Sequence, residues 1–178
     1  MVRFTSFLLI LTFVLLSQFS FTQSKLSKTW EYKDITDSID KTKVVSLSIN
    51  QYILYLPKDI KEFTNLKRLD LNQCTFIRDI SELKHLVHLE EISMNNCNLK
   101  KVPEELSKLK KLKKINLNSN LITDYSALAK LTEVEEIQLG SCGLKEIPKE
   151  IRGYSNLKLL NLRNSPSISL AGIGGFKK

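Results

Sequence analysis

The sequence predicts an α/β solenoid, a curved parallel β-sheet with short helical or 3₁₀ return arms. Three observations carry that expectation. From starts at residues 44, 66, 89, 112, 134 and 157, one pattern recurs at intervals of 22, 23, 23, 22 and 23 residues. Within each copy the segment L-x-L alternates with period two, as a strand with one buried face does. All three cysteines, Cys74, Cys97 and Cys142, occupy one slot of the copy. A single copy cannot bury its apolar face alone. Neighbours therefore stack as parallel strands about 4.8 Å apart, and three or more copies are needed.

The chain opens with "MVRFTSFLLILTFVLLSQFSFTQS": one basic residue, Arg3, an apolar run from Phe7 to Leu16, then small and polar residues. That order predicts a secretory signal peptide over residues 1–22, with Thr22/Gln23 the preferred junction. An uncleaved anchor is the alternative, but a spanning helix needs about 20 apolar residues, and Ser17-Gln18 interrupts this run. The protein is thus expected not to be an integral membrane protein after signal removal. No cysteine at the junction supports a lipid anchor, and the end "LAGIGGFKK" has no hydrophobic tail. Losing Arg3 lowers the formal charge from +8 to +7, a basic balance that favours contact with acidic surfaces.

Residues 23–43 form an N-terminal segment ahead of the repeats. Tyr32, Ile35 and Ile39 recur at helical spacing, with Asp34 suited to an N-cap and Asp37 to the first turn. A short helix over 31–40 is expected to cover the end of the first repeat, because a solenoid's terminal cores need covering. At the other end, residues 169–178 form a short, glycine-rich tail without an amphipathic helix.

The copies read "VVSLSINQYIL" from Val44, "LKRLDLNQCTF" from Leu66, "LEEISMNNCNL" from Leu89, "LKKINLNSNLI" from Leu112, "VEEIQLGSCGL" from Val134 and "LKLLNLRNSPS" from Leu157. They resemble the leucine-rich repeat, L-x-x-L-x-L-x-x-N/C-x-L, over residues 44–168. The ninth slot holds Tyr52, Cys74, Cys97, Asn120, Cys142 and Ser165. In that family the slot takes Asn or Cys, whose side chain turns inward to bond backbone groups. The resemblance thus implies a structural ladder of Cys74, Cys97, Asn120 and Cys142. A Cys74–Cys97 disulfide between neighbouring rungs is the alternative, and it leaves Cys142 unpaired. Without a C-x-x-C pair a zinc site is not expected.

The return arms are of two kinds. Repeats one, three and five carry "LPKDI", "VPEEL" and "IPKEI", whereas repeats two and four carry "RDISEL" and "TDYSAL". The first resembles the common proline-bearing bacterial repeat, the second internalin-like repeats with a short 3₁₀ return arm. Proline's fixed φ suits the start of a helical turn. The alternation suggests a duplicated two-repeat unit.

The resemblance makes the concave side of the sheet the expected contact surface. Its fifth, seventh and eighth positions are rich in amides and hydroxyls. The candidate ligand residues are Asn72, Ser93, Asn95, Asn96, Asn116, Asn118, Gln138, Asn161 and Arg163. Amides both donate and accept, which suits a protein or glycan partner. The alternative is that stacked amides bond to one another along the sheet. The second and third positions alternate in sign, Lys67-Arg68, Glu90-Glu91, Lys113-Lys114, Glu135-Glu136. This is expected to be a cross-strand charge ladder, with a ligand-binding stripe the alternative, and its mixed sign argues against nucleic acid. Lys100, Lys101, Lys108, Lys110 and Lys111 fall outside the strands, so acidic surfaces would meet the return arms.

No catalytic pattern emerges. His85 and His88 in "ELKHLVHLE" are not H-E-x-x-H, and no G-x-S-x-G or glycine-rich phosphate loop is present. The expectation is a non-enzymatic binding module without cofactor or metal, placed in the secreted or cell-envelope compartment. A structural, self-assembling protein and a truncated repeat fragment are the competing readings. The repeat type, together with the lack of a glycosylation sequon, favours a bacterial source.

Overall fold

The third to fifth positions of each repeat form a three-residue strand, with the apolar fourth residue turned into the core between its two neighbours. The computed structural model describes residues 29–31, 39–49, 53–165 and 168–169. Seven strands form one parallel sheet in chain order: β1 (Thr29–Glu31), β2 (Ser46–Ser48), β3 (Arg68–Asp70), β4 (Glu91–Ser93), β5 (Lys114–Asn116), β6 (Glu136–Gln138) and β7 (Leu159–Asn161). The register stacks the fourth positions Leu47, Leu69, Ile92, Ile115, Ile137 and Leu160 in one inward row. Leu71, Met94, Leu117 and Leu139 two residues on are fully buried, as are Leu66, Leu89 and Leu112 at the repeat starts.

β1 was not anticipated. Trp30 pairs in register with Leu47, so a seventh strand precedes the first repeat. The expected signal segment 1–22 and the body of the expected capping helix, 32–38, lie outside the described residues. Of that helix's ends, Glu31 belongs to β1, and Asp40 accepts the Thr42 N–H to cap a 3₁₀ turn over Lys41–Lys43. Lys41 then reaches Asp59 (3.0 Å) and Glu62 (2.9 Å) in the first return arm, joining that turn to repeat one.

The return arms are 3₁₀ turns wherever they are described: Lys58–Glu62, Ser81–His85, Glu104–Lys108, Ser126–Lys130 and Lys149–Ile151. Each is too short to repay α-helix nucleation, and each tucks an apolar side chain into the core: Ile60, Leu83, Leu106, Leu128 (with Ala127) or Ile151. In repeats one, three and five the cap is Pro57, Pro103 or Pro148, with φ between −53 and −59°. In repeats two and four, Asp79 and Asp124 instead accept the N–H of Ser81 (2.8 Å) and Ser126 (2.9 Å). Among the described residues no helix is long and apolar enough to cross a membrane.

Where each strand leaves the sheet, the eighth residue takes a left-handed conformation. Gln73, Asn96, Ser119, Ser141 and Asn164 all have φ between 55 and 63°. That turn aims the ninth side chain inward at the preceding repeat. The thiols of Cys74, Cys97 and Cys142 donate to the carbonyls of Ile49, Leu71 and Leu117, at 3.2, 3.1 and 3.2 Å. Asn120 does the same to Met94 O at 2.8 Å and also donates to Leu117 O, while its Oδ1 accepts the N–H groups of Cys97 and Leu99 at 3.0 Å each. In repeat six Ser165 has a shorter arm, and its buried hydroxyl meets no partner among the described residues. The cysteines are free thiols, so the alternative of a Cys74–Cys97 disulfide is set aside.

Two predictions follow from this layer. Burial pushes the Cys97 thiol up to about 11 and the Cys142 thiol upward. Since the thiolate is the reactive form, all three cysteines are expected to resist a thiol-specific disulfide reagent in native buffer and to react together in denaturant. Reaction of one cysteine with native kinetics like those of a free thiol would contradict the ladder. Secondly, the backbone N–H of Ser81 and of Ser126 holds Asp79 and Asp124 below the ordinary aspartate value of 3.8. A depressed folded value stabilises above the unfolded value and is lost as pH falls through the folded one. Asp79→Asn with Asp124→Asn keeps the acceptor oxygen, so stability at neutral pH should hold while the acid limb flattens. The Ala pair should lose stability at every pH, as read from urea midpoints at pH 7 and pH 3.

Candidate functional site

Period-two geometry places the third and fifth positions together on the concave side, flanking each inward fourth residue. They line a trough of about 350 Å³ running from β3 to β6: Arg68 and Asp70, Glu91 and Ser93, Lys114 and Asn116, Glu136 and Gln138. The concave face is therefore not the nearly uncharged amide surface that the fifth, seventh and eighth positions alone suggest. A row of alternating charge from the third positions runs along it. Sequence reasoning had the signal for this, because residues two apart on a strand share a face, but preferred a ladder to a ligand-binding stripe.

The ladder exists as well. Lys67 meets Glu90 at 3.1 Å and Lys158 meets Glu135 at 2.7 Å, while Lys114 lies 3.7 Å from Glu91 and 4.0 Å from Glu136. Hydrogen bonds from Lys67 and Lys158 lower the Glu90 and Glu135 carboxyls. Such exposed pairs are screened by solvent and each adds little to stability. Asp70 behaves oppositely: burial raises its carboxyl, against the Asn72 N–H it accepts.

The amides divide by repeat parity. In repeats two, four and six the fifth residue, Asp70, Asn116 or Asn161, accepts the N–H of its own seventh residue, Asn72, Asn118 or Arg163, at 2.8 to 3.1 Å. In repeats three and five the seventh N–H instead reaches back: Asn95 N–H donates to Asn72 Oδ1 (2.8 Å) and Gly140 N–H to Asn118 Oδ1 (2.7 Å). Gly140 suits that close approach, since a Cβ would sit a tight 3.2 Å from both Arg163 O and Asn118 Oδ1. Side chains complete the weave. Ser93 Oγ donates to Asn72 Oδ1 (2.7 Å), Asn116 Nδ2 to Ser93 Oγ (3.0 Å), Asn118 Nδ2 to Gln138 Oε1 (2.9 Å), and Gln138 Nε2 to Glu136 Oε1 (2.8 Å).

Of the nine expected ligand residues, Asn72, Ser93, Asn116, Asn118, Gln138 and Asn161 are thus occupied with one another or with backbone, as the alternative reading of stacked amides anticipated. Asn95, Asn96 and Arg163 enter the network through backbone groups, and Asn96 and Arg163 are exposed. Asn96 stands apart from the trough, on a left-handed turn at the strand exit. The face that the geometry brings together is the charged row of Arg68, Glu91, Lys114 and Glu136, and neither Asn95 nor Arg163 lines it.

The histidines separate in space. His85 faces Glu82 at 3.6 Å, and His88 Nδ1 contacts Lys111 Nζ at 2.9 Å. Among the described residues no three His, Cys, Asp or Glu side chains converge on one point.

Comparisons with known proteins agree on the fold. Residues 87–130, repeats three and four, match the family model described as Leucine Rich repeats (2 copies). Among solved structures the chain is similar to the internalin inlF of Listeria monocytogenes, with 20% identity and a TM-score of 0.60 over 75% of this chain and 38% of the internalin. A leucine-rich repeat protein of Leptospira interrogans is similar at 25% identity and a TM-score of 0.54, over 69% of this chain and 38% of that one. The plant peptide hormone receptor RGFR1, solved in complex with RGF2, is similar at 24% identity and a TM-score of 0.55, over 86% of this chain and 27% of the receptor. The chain thus spans under two fifths of each. Curated protein sequences gave no significant match. Its 22–23-residue period, the parallel seven-stranded sheet of the described residues and the repeat model matched over residues 87–130 together show a leucine-rich repeat solenoid fold.

Proposed function

We propose that the chain is a non-enzymatic, secreted or envelope-located interaction module that binds a polar partner, protein or glycan, along its concave trough. The observation that carries this reading is the row of alternating charges, Arg68, Glu91, Lys114 and Glu136, set on a rigid hydrogen-bonded sheet. Both signs lie a strand apart, so the trough complements a partner that also presents both signs. A protein segment with paired acidic and basic side chains fits this requirement better than a neutral glycan. The weave behind the row lowers the ordering cost of binding, because trough side chains are already held by neighbours. The leucine-rich repeat fold itself suggests protein–protein interaction, and the RGFR1 structure is of a receptor with a bound peptide hormone.

A second reading, self-assembly through the C-terminal end, has its own observation. β7 pairs with β6 alone among the described strands, and the core there thins out: Leu159 is 46% exposed, while Leu157, Leu160 and Leu162 are only partly buried. A monomer in size-exclusion chromatography at high protein concentration counts against that reading.

The trough is tested by cross-linking capture from cell-surface extracts, with the purified chain as bait beside an Arg68→Glu, Lys114→Glu variant. Circular dichroism should show the variant folded, since none of these side chains packs in the core. A partner held by the native bait should bind the variant at least about tenfold more weakly, the loss expected when central contacts of an interface are reversed. Equal capture by both baits would overturn concave binding. Secretion is checked separately, by an extracellular product whose N-terminus begins at Gln23.

A further inference from the structure

The third positions of the strands carry an order that pairing within one chain leaves incomplete. From β2 to β7 they read Ser46, Arg68, Glu91, Lys114, Glu136 and Leu159, so a neutral residue ends the charged row on each side. The row itself runs plus, minus, plus, minus. Lys114 stands between two acids, 3.7 Å from Glu91 and 4.0 Å from Glu136. Arg68 has no such arrangement. Among the described residues it makes no ion pair, and Ser46 flanks it on β2. At the other end Glu136 holds only that long Lys114 contact and the Gln138 amide at 2.8 Å.

An alternating row with an even number of members is its own complement. A half-turn about an axis parallel to the strands, midway between β4 and β5, lays β3 over β6 and β4 over β5 of a second chain. Arg68 then faces Glu136 of the second copy, and Glu91 faces its Lys114. The fifth positions turn with them. The Asp70 carboxylate meets a Gln138 amide and the Ser93 hydroxyl meets an Asn116 amide, each an acceptor against a donor. Every contact occurs twice, as in any two-fold interface. A half-turn about the stacking direction instead sets third positions on fifth positions, and leaves Glu91, Lys114 and Glu136 against neutral side chains. Two facing troughs leave most room at their centre, where the long Glu91 and Lys114 side chains stand.

We infer that the partner of the trough is a second copy of this chain, in a two-fold pair held by Arg68–Glu136 and Glu91–Lys114 contacts across the axis. The inference rests on the reading of the trough as a binding surface and names its occupant. Any other protein needs the same four-charge order at a strand spacing of about 4.8 Å, and this chain already carries it. The Arg68 fork gains a carboxylate suited to paired N–H donors, and exclusion of water between the two faces strengthens that contact. The C-terminal end takes no part, since Leu159 lies beyond the row.

Sedimentation velocity of the whole purified chain over a concentration series tests this. The native chain should show a monomer–dimer equilibrium that weakens when salt is raised to about 1 M, where the screening length is about 3 Å. Arg68→Glu sets acid against acid and Glu136→Arg sets base against base, so each variant alone should dimerise at least about tenfold more weakly. An equimolar mixture of the two should recover the native association, because each then offers the charge that the other lacks. Recovery also shows that both variants fold. Arg68→Gln removes no ion pair within the chain and should weaken the dimer too, so the measurement reads out even if a reversal unfolds. A native chain that stays monomeric at every concentration would overturn the inference. Capture of a different protein, lost in the Arg68→Glu, Lys114→Glu variant, would still leave the trough a binding surface. Dimerisation untouched by these substitutions would place self-association at the C-terminal end, and two folded variants that stay monomeric when mixed would contradict the two-fold pairing; either result overturns the inference.

Discussion

The ninth-position hydrogen bond is the constraint on which the rest of this structure depends. A strand only three residues long has too few ladder bonds to fix where the chain turns away. The left-handed eighth residue makes the turn, and the inward ninth side chain ties it to the sixth-residue carbonyl of the repeat before. A thiol serves because it is small, apolar enough for the core and still a weak donor. Asn120 serves more fully, since its amide bonds back to Met94 while its oxygen takes two N–H groups of repeat three. With every turn fixed, third and fifth residues of successive strands stand in register, and the trough exists.

Parity organises the remaining backbone groups. Buried or half-buried N–H groups need acceptors, and the two repeat types supply them by different routes. Even repeats use a fifth-position Asp or Asn for their own seventh N–H, and odd repeats borrow the preceding seventh-position Asn. On the opposite side, odd repeats are bridged to the even repeat that follows, while the next junction stays open. The same alternation that satisfies the strand ends thus recurs in the loops, where isolated bridges join repeats one to two, three to four and five to six.

Much of this was legible from the chain alone. The period placed the strands of the six repeats, and the shared cysteine slot pointed to an inward ladder rather than to metal or disulfide chemistry. The proline and Asp-x-Ser return arms foretold the two kinds of turn. Other features were hidden for physical reasons. β1 is three residues in a segment without the repeat pattern, so only tertiary pairing with β2 makes it a strand. The roles of Asn72 and Asn118 depend on which N–H faces them across a strand, which composition does not encode.

Equilibrium urea unfolding of Asn120→Leu tests the central claim most directly. Leucine keeps the volume and the apolar contacts but removes every side-chain hydrogen bond, leaving the Cys97 and Leu99 N–H groups and the Met94 carbonyl buried without that partner. At about 1–3 kcal/mol for each unsatisfied buried group, the account predicts a loss of at least about 3 kcal/mol. A variant within about 0.5 kcal/mol of the native chain, the scatter of an ordinary surface substitution, would show that the repeats are held by apolar stacking alone.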